Sequence, residues 1–286
     1  MTIDLLPGAP DRRTGSRSRR STPPPKHGRA WRASRLTLMN GAPVLLIIGW
    51  WVASRYQPAY IVPDPLAVLH RTWDLLAGDR ALFANTYISF ARVGISVLIA
   101  VALGTAIALT AKYVTVLEGL LVDRLMVFVN AFPSIGWAIA GMYWFGVSTP
   151  AVIFVEVAII LPFTLITIWE GLKALDAELM EMAQSFTRDT GRIIVKVVAP
   201  FLAPYLFSAL RISYAGAWKV AIIAEIFGAS EGLGYLLNTA REQFDSTTLY
   251  ACILTLILIV YVVDKGIFRP VETKLLRYRK AASSHR

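Results

Sequence analysis

The chain has 286 residues, of which 56% are hydrophobic, and it carries a formal net charge of +10. Soluble domains are only about 45–50% apolar, so this composition and the mean hydropathy of +0.55 predict one integral membrane domain. The basic residues lie at the two ends and in alternate loops without interleaved aromatic residues, which excludes a nucleic-acid-binding protein. The single cysteine and three scattered histidines predict neither an intrachain disulfide nor a metal site.

The N-terminal segment, residues 1–35, is rich in arginine and proline, which predicts a disordered basic tail that can contact anionic lipid. Its Arg19-Arg20 pair is typical of twin-arginine export signals. No apolar stretch follows closely, however, and no cleavage site is apparent, so we expect a tail that is retained in the cytosol.

Six apolar runs follow, and each is close to the roughly 20 residues that cross about 30 Å of hydrocarbon. They cover about residues 36–54, 87–111, 126–147, 150–169, 201–227 and 249–263. This pattern predicts an all-α polytopic protein with six transmembrane helices, in a domain that spans residues 36–265. Phe132-Pro133 interrupts the third run, which predicts a kinked or broken helix there.

Short features between and within these runs predict how the helices pack. Residues 66–76 have amphipathic helical spacing, which favours a helix at the membrane interface between the first two spans. In the second span, Ala100, Gly104 and Ala108 form a ridge of small residues that favours close helix packing.

The distribution of positive charge predicts the orientation. The N-terminal tail, Lys112, Arg124, the polar interval 172–200 and the basic tail 266–286 all fall on one face of the six-span arrangement. Positive residues favour the cytosolic side, so both termini and the polar interval are expected in the cytosol.

The polar interval 172–200 has helical periodicity. Its apolar residues recur at steps of three and four, with acidic and basic residues around them: Leu175, Leu179, Met182, Ala183 and Phe186. Gly191 breaks this helix, and a second short helix is expected to end at Pro200. The interval therefore predicts a helical hairpin at the cytosolic face, here called the hairpin.

The hairpin resembles the cytosolic loop of bacterial ABC-importer permeases. Glu181, Ala183 and Pro200 occupy positions of their E-A-A-x3-G-x9-I-x-L-P signature, while Met182 and Thr187 replace its second Ala and its Gly. Val197 and Ala199 likewise replace its Ile and Leu. Other strings are similar to permeases of the nitrate, sulfonate, taurine and bicarbonate group: Pro63-Asp64-Pro65, Trp144-Phe145-Gly146, Ala217-Trp218 and Gly232-Leu233-Gly234. The resemblance covers about residues 60–263.

This resemblance implies a type I permease in the bacterial inner membrane. Two copies, expected as a homodimer, would form the pathway, and an extracytoplasmic binding protein would deliver the solute. ABC ATPase subunits would dock on the hairpin and bind ATP and Mg. The chain contains no G-x-x-x-x-G-K-[ST] motif, so it is expected to be a transport subunit without enzyme activity or a cofactor of its own. The ATPase-coupling residues implied are Leu179, Glu181, Met182, Ala183, Phe186, Thr187, Arg188 and Pro200.

Two charges inside predicted spans require partners or water, because each costs about 2.5–3.5 kcal/mol at the membrane centre. Glu156 and Lys219 lie at similar depth, so we expect either that they form an ion pair or that Lys219 contacts an anionic solute. Glu225 is expected at the outer interface, near a gate. The candidate pathway residues are Pro133, Trp137, Met142, Glu156, Trp218, Lys219 and Glu225.

Two other functions remain open at this point. A gradient-driven secondary transporter with six spans would be favoured by inverted repeats, and none is clear. A membrane enzyme would need a catalytic or metal-ligating set, which the sequence does not show. The solute is expected to be a small anion such as a sulfonate, taurine, nitrate or bicarbonate, with an aromatic acid or a vitamin precursor as the alternative.

Overall fold

The computed structural model describes residues 44–114 and 118–273, and every regular element in these two ranges is a helix. The prediction of an all-α polytopic protein is therefore confirmed for this part of the chain. The two predicted basic tails and the start of the first predicted span lie, wholly or largely, outside the described residues.

The described residues form ten helices, and four of these helices adjoin or contain a wider π turn. They are α1 Val44–Tyr56, α2 Pro65–Trp73, α3 Arg80–Tyr113, α4 Met126–Ala131, α5 Ser134–Phe145, α6 Thr149–Lys173, α7 Ala177–Phe186, α8 Thr190–Gly228, α9 Leu233–Glu242 and α10 Ser246–Thr273. The π turns are Asp74–Gly78 after α2, Glu118–Leu125 before α4, Ile194–Val198 within α8 and Asp264–Phe268 within α10.

Four of the described helices are long and apolar enough to cross a membrane: α3, α6, α8 and α10. They correspond to the second, fourth, fifth and sixth predicted spans. The third predicted span is the broken pair α4 and α5, because the extended backbone of Pro133 separates the two helices. The predicted interruption is confirmed.

The expected end of the hairpin at Pro200 is wrong. The helix continues from Thr190 to Gly228, and Pro200 lies inside it. A proline in a regular α-helix clashes with the carbonyl four residues earlier. Here the π turn Ile194–Val198 comes directly before it, and its altered hydrogen-bond spacing makes room for the ring.

Small residues let α3 approach α6. Ala100 and Ala108 are buried. A Cβ added to Gly104 would lie 2.7 Å from the hydroxyl oxygen of Thr164. The predicted small-residue ridge is therefore a site of close helix packing within the subunit.

Cross-helix contacts fix the directions of the three central helices. The Arg92 side chain in α3 contacts Thr149 at the start of α6, and Lys112 near the end of α3 contacts Leu172 near the end of α6, so these helices are parallel. Arg92 also contacts Glu225 near the end of α8, so α8 is antiparallel to both. We call the end that carries α7 the hairpin end and the opposite end the far end.

Candidate functional site

Aspartate caps shape the hairpin. The Asp176 carboxylate accepts a hydrogen bond from the backbone N–H of Glu178 at 3.3 Å and begins α7. Thr187 is extended and ends α7, and the Asp189 carboxylate then accepts from the backbone N–H of Arg192 at 3.2 Å. These caps satisfy backbone donors at both helix starts and place a sharp corner between α7 and α8.

The predicted coupling residues divide between two faces of α7. Ala183 is buried in the apolar cluster at the hairpin end, and Leu179 packs against that cluster. Met182 and Phe186 face away, with 54% and 83% of their surfaces exposed. Glu181 is exposed as well. One face of α7 therefore anchors the hairpin and the other presents a bare apolar surface with an acidic neighbour.

A cleft of about 270 Å³ lies between the hairpin and the end of α3. Its lining residues are Tyr113, Met180, Gln184, Arg188, Thr190 and Ile193. Nearby, the ammonium group of Lys112 donates a hydrogen bond to the carbonyl oxygen of Leu172 at 3.0 Å and ties α3 to the end of α6. Arg188 thus lies beside a cleft at the base of the hairpin.

A buried ion pair lies at the far end. The guanidinium of Arg92 is 3% exposed and is 3.1 Å from the carboxylate of Glu225, which is fully buried. It also donates to the carbonyl oxygen of Glu231 at 2.8 Å and to the hydroxyl of Thr149 at 2.8 and 3.2 Å. A contact of 3.4 Å to the Glu231 carboxylate completes the set. All five N–H groups of Arg92 therefore have acceptors.

The Glu225 carboxylate organises the loop that follows α8. Its oxygens lie 2.7 and 2.8 Å from the hydroxyl of Ser89, and it accepts a hydrogen bond from the backbone N–H of Gly234 at 2.8 Å. Gly232 has a φ of +114°, and a Cβ there would lie 2.5 Å from Glu225 Oε1. At Gly232 only glycine fits both the conformation and the space, and this residue forms the bend directly before α9, whose first turn contains Leu233 and Gly234.

The pathway roles of Glu225 and Trp218 stay predictions, and one of the two alternatives for Glu156 and Lys219 is contradicted. Glu225 lies near the far end of α8, where it is the buried partner of Arg92. Trp218 is 1% exposed and belongs to the apolar core. Glu156 and Lys219, both in the described part of the chain, do not pair: Glu156 is fully buried without a hydrogen bond, whereas Lys219 is exposed. Similar depth was not sufficient, because the two side chains point in different directions.

The broken span α4–α5 carries the other pathway candidates. Pro133 is exposed and Met142 is half-buried. The ring of Trp137 packs edge-on against Phe132 and Phe154, with centroid distances of 4.9 and 6.0 Å. A pathway role for Pro133, Trp137 and Met142 stays a prediction.

The sequence interpretation missed Arg92, although a signal was present. Arg92 lies inside the second predicted span, where an unpaired charge is costly, and Glu225 is the acid near the end of a neighbouring span. A second missed cluster lies nearer the hairpin end. There Arg211 donates to Asp264 at 2.8 Å and to Glu272 at 2.5 Å, so it is paired with two acids.

Asp245 caps the start of α10 at the far end and lies outside the spans. Burial raises its pKa, but hydrogen bonds from Thr248 and the charge of Arg71 outweigh burial and hold the pKa below the usual range. The Thr248 backbone donates to the carboxylate at 3.1 Å, and Arg71 donates to the Thr248 hydroxyl at 3.0 Å. The ionised form of Asp245 is therefore part of the fold.

Relatives with named activities match most of the chain. An aliphatic sulfonates transport permease of Bacillus subtilis is 25% identical, over 84% of this chain and 86% of its own length. The taurine transport system permease of Escherichia coli is 23% identical, over 86% and 91%. A formylaminopyrimidine transport permease of Halalkalibacterium halodurans is 27% identical, over 83% and 94%.

A solved structure shares the fold. An inward-facing form of the MetNI methionine ABC transporter superposes with a TM-score of 0.59 at 15% identity, over 68% of this chain and 96% of the matched chain. The family model for the binding-protein-dependent transport system inner membrane component matches residues 100–266, more than half of the chain. The chain therefore belongs to this family, the inner-membrane permease subunits of binding-protein-dependent ABC importers.

Proposed function

We propose that the hairpin is the docking element for an ABC ATPase and that the permease imports a small organic anion. The observation that carries the docking proposal is the bare apolar pair on α7, Met182 and Phe186, beside exposed Glu181. A short helix with an apolar face suits a groove on a partner protein. The ATPase would bind ATP and Mg, since this chain has no phosphate-binding glycine-rich motif.

The anchored face of α7 explains how docking can move the membrane part. Ala183 and Leu179 fix α7 to the hairpin-end cluster, so a push on Phe186 displaces the cluster rather than a loose loop. From Thr190 the chain continues as one helix of 39 residues to Gly228. A continuous helix transmits a rigid-body rotation from the hairpin to the far end.

The remaining parts of the proposal concern partners and orientation. A second copy of the chain would complete the pathway, both termini would lie in the cytosol, and a binding protein would deliver solute at the far end. The relatives named for aliphatic sulfonates and taurine support a solute with an anionic sulfonate group. The relative named for formylaminopyrimidine supports a vitamin precursor as the alternative.

The test is retention of the ATPase by a tagged permease. The chain would be expressed with the genes adjacent to its own and purified in mild detergent, and the copy number of each subunit would be measured. We expect an ATPase at equal copy number and a loss of at least tenfold in its retention with Phe186→Asp, which places a charge in the apolar contact.

Phe244→Asp is the matched control. Phe244 is 77% exposed, but it lies between α9 and α10 at the far end. This variant should retain the ATPase as the unchanged chain does. Recovery of the permease without an ATPase, with transport that survives nucleotide depletion, would instead indicate the gradient-driven carrier.

A further inference from the structure

The two faces of α8 differ in burial along the far half of the helix. Tyr214, Trp218 and Glu225 recur on the buried face. Ile212, Ala215 and Lys219 are exposed and recur at steps of three and four residues, on a face about 110° around the helix from the buried one. Lys219 therefore points away from the core of its own subunit.

Lys219 lies within an apolar helix that is long enough to cross a membrane. It precedes the end of α8 at Gly228 by nine residues, or about 13 Å of helix. An ammonium group that faced hydrocarbon at such a position would be costly, so water or a negatively charged group is the favoured neighbour of this face.

Lys219 differs from Arg92 and Arg211, two other cations inside the described spanning helices, because those two have acidic partners. Arg92 is paired with Glu225, and Arg211 with Asp264 and Glu272. Lys219 makes no hydrogen bond or ion pair with any described residue. Its positive charge is therefore available to a group from outside the subunit.

The surface next to Lys219 is open. Ala215, one turn away on the same face, has a side chain of a single methyl group. At the adjacent Gly216, no atom lies within 4 Å of where a Cβ would be. A small molecule can therefore approach the ammonium group from the hairpin side of this residue.

We propose that Lys219, with the open surface at Ala215 and Gly216, is an anion-binding site in the transport pathway. Its ligand is a small organic monoanion, either a sulfonate or a carboxylate. A lysine offers a compact point charge rather than the planar fork of arginine, so it does not select the planar carboxylate over the tetrahedral sulfonate. This inference rests on the proposed function, because it places the imported solute at Lys219.

Thiol labelling of Ala215→Cys tests the site with charged reagents in place of the solute. The only native cysteine, Cys252, is buried and would be replaced by alanine. The labels are methanethiosulfonate reagents of similar size, one with an anionic ethylsulfonate group and one with a cationic trimethylammonium group. They would be applied to the complete transporter in membranes.

We expect Ala215→Cys to react with both reagents and to favour the anionic one. A unit charge one helical turn away in water changes the two rates in opposite directions by about threefold each. Lys219→Met should therefore lower the ratio of anionic to cationic rates by about tenfold, and Lys219→Arg should preserve it. Ethanesulfonate at millimolar concentration should slow the anionic reagent when Lys219 is present.

Val262→Cys is the control for a lipid-facing position. Val262 is exposed on the apolar part of α10 and should react with neither charged reagent. If Ala215→Cys is equally unreactive, or forms disulfide-linked dimers instead, the face contacts lipid or a second copy and the inference is wrong. An unchanged rate ratio in Lys219→Met would also refute it.

The labelling result is independent of ATPase retention. A complex that retains the ATPase but shows no charge-dependent labelling would leave the proposed docking intact and reject the anion site. Charge-dependent labelling without a retained ATPase would keep the anion site and reject the docking.

Discussion

The buried pair of Arg92 and Glu225 gives the largest stability prediction. Each partner alone is a buried charge, and removing one of two paired buried charges costs about 3–5 kcal/mol. Arg92→Met leaves the Glu225 carboxylate with only Ser89 and Gly234 as donors. Glu225→Gln leaves the guanidinium with the partly exposed Glu231 carboxylate, 3.4 Å away, as its remaining counter-charge, so its cost should lie at the lower end of this range. Both variants are expected to be strongly destabilised.

The corresponding change in melting temperature is large enough to measure in detergent. For domains of 150–250 residues, 1 kcal/mol corresponds to about 2–4 °C. Each single variant should therefore lower the apparent melting temperature by roughly 6–15 °C. The double variant removes both charges, so its loss should be smaller than the sum of the two single losses by about 0.5–3 kcal/mol.

The assay is the temperature at which half of the monodisperse protein is lost from size-exclusion chromatography. Arg192→Met is the control, because Arg192 forms an exposed pair with Asp189 and exposed pairs contribute little. If Arg92→Met and Glu225→Gln shifted the midpoint no more than Arg192→Met does, the buried pair would not stabilise the fold. Strict additivity in the double variant would equally contradict direct coupling.

Three further predictions use the same protein. Gly232→Ala should lower the melting temperature in a thermal unfolding experiment, because it adds a Cβ against the Glu225 carboxylate at a residue with positive φ. Gly94→Ala should not lower it, because no atom lies within 4 Å of the Cβ that would be added there in α3. The pKa of Asp245 in the folded protein lies below its ordinary value of 3.8, so its ionised carboxylate contributes fully to the free energy of unfolding above pH 3.8, and this contribution is lost as the pH falls through the folded pKa. Asp245→Asn should therefore remove that part of the acid dependence of the melting temperature. Arg211→Gln should release residues 264–272 from α8, and hydrogen exchange should rise in that segment alone.

The spans and the hairpin could be predicted because they depend on local patterns. Hydropathy locates apolar runs, and the helical spacing of Leu179 and Ala183 describes the anchored face of α7. The continuation of α8 through Pro200 could not be predicted in this way. A π turn changes the hydrogen-bond spacing over only five residues, Ile194–Val198, and leaves no clear periodic signal.

To predict which charged residues pair, both the depth of each residue along its helix and its direction around the helix are required. Pairing Glu156 with Lys219 used depth alone. Trp218 and Glu225 lie on one face of α8, and Lys219 lies about 100–120° around the helix from them. This angle follows from the sequence once one face is known to be buried. Arg92 required only that every charge inside a predicted span be counted, whereas its contacts with Thr149 and Glu231 depend on tertiary packing.

The two faces of α8 give a physical reason why events at the hairpin reach the solute. Glu225 fastens the far end of this helix to α3, and Ile193 fastens its first turn into the hairpin-end cluster. Lys219 lies between these attachments on a different, exposed face of the helix. Between these attachments the chain is one continuous helix, so we expect a rotation imposed on the hairpin to turn the exposed face that carries Lys219 as well. Under the proposed function, an anion held there would experience a different opening at each stage of the ATPase cycle, with no need for the ATPase to contact it.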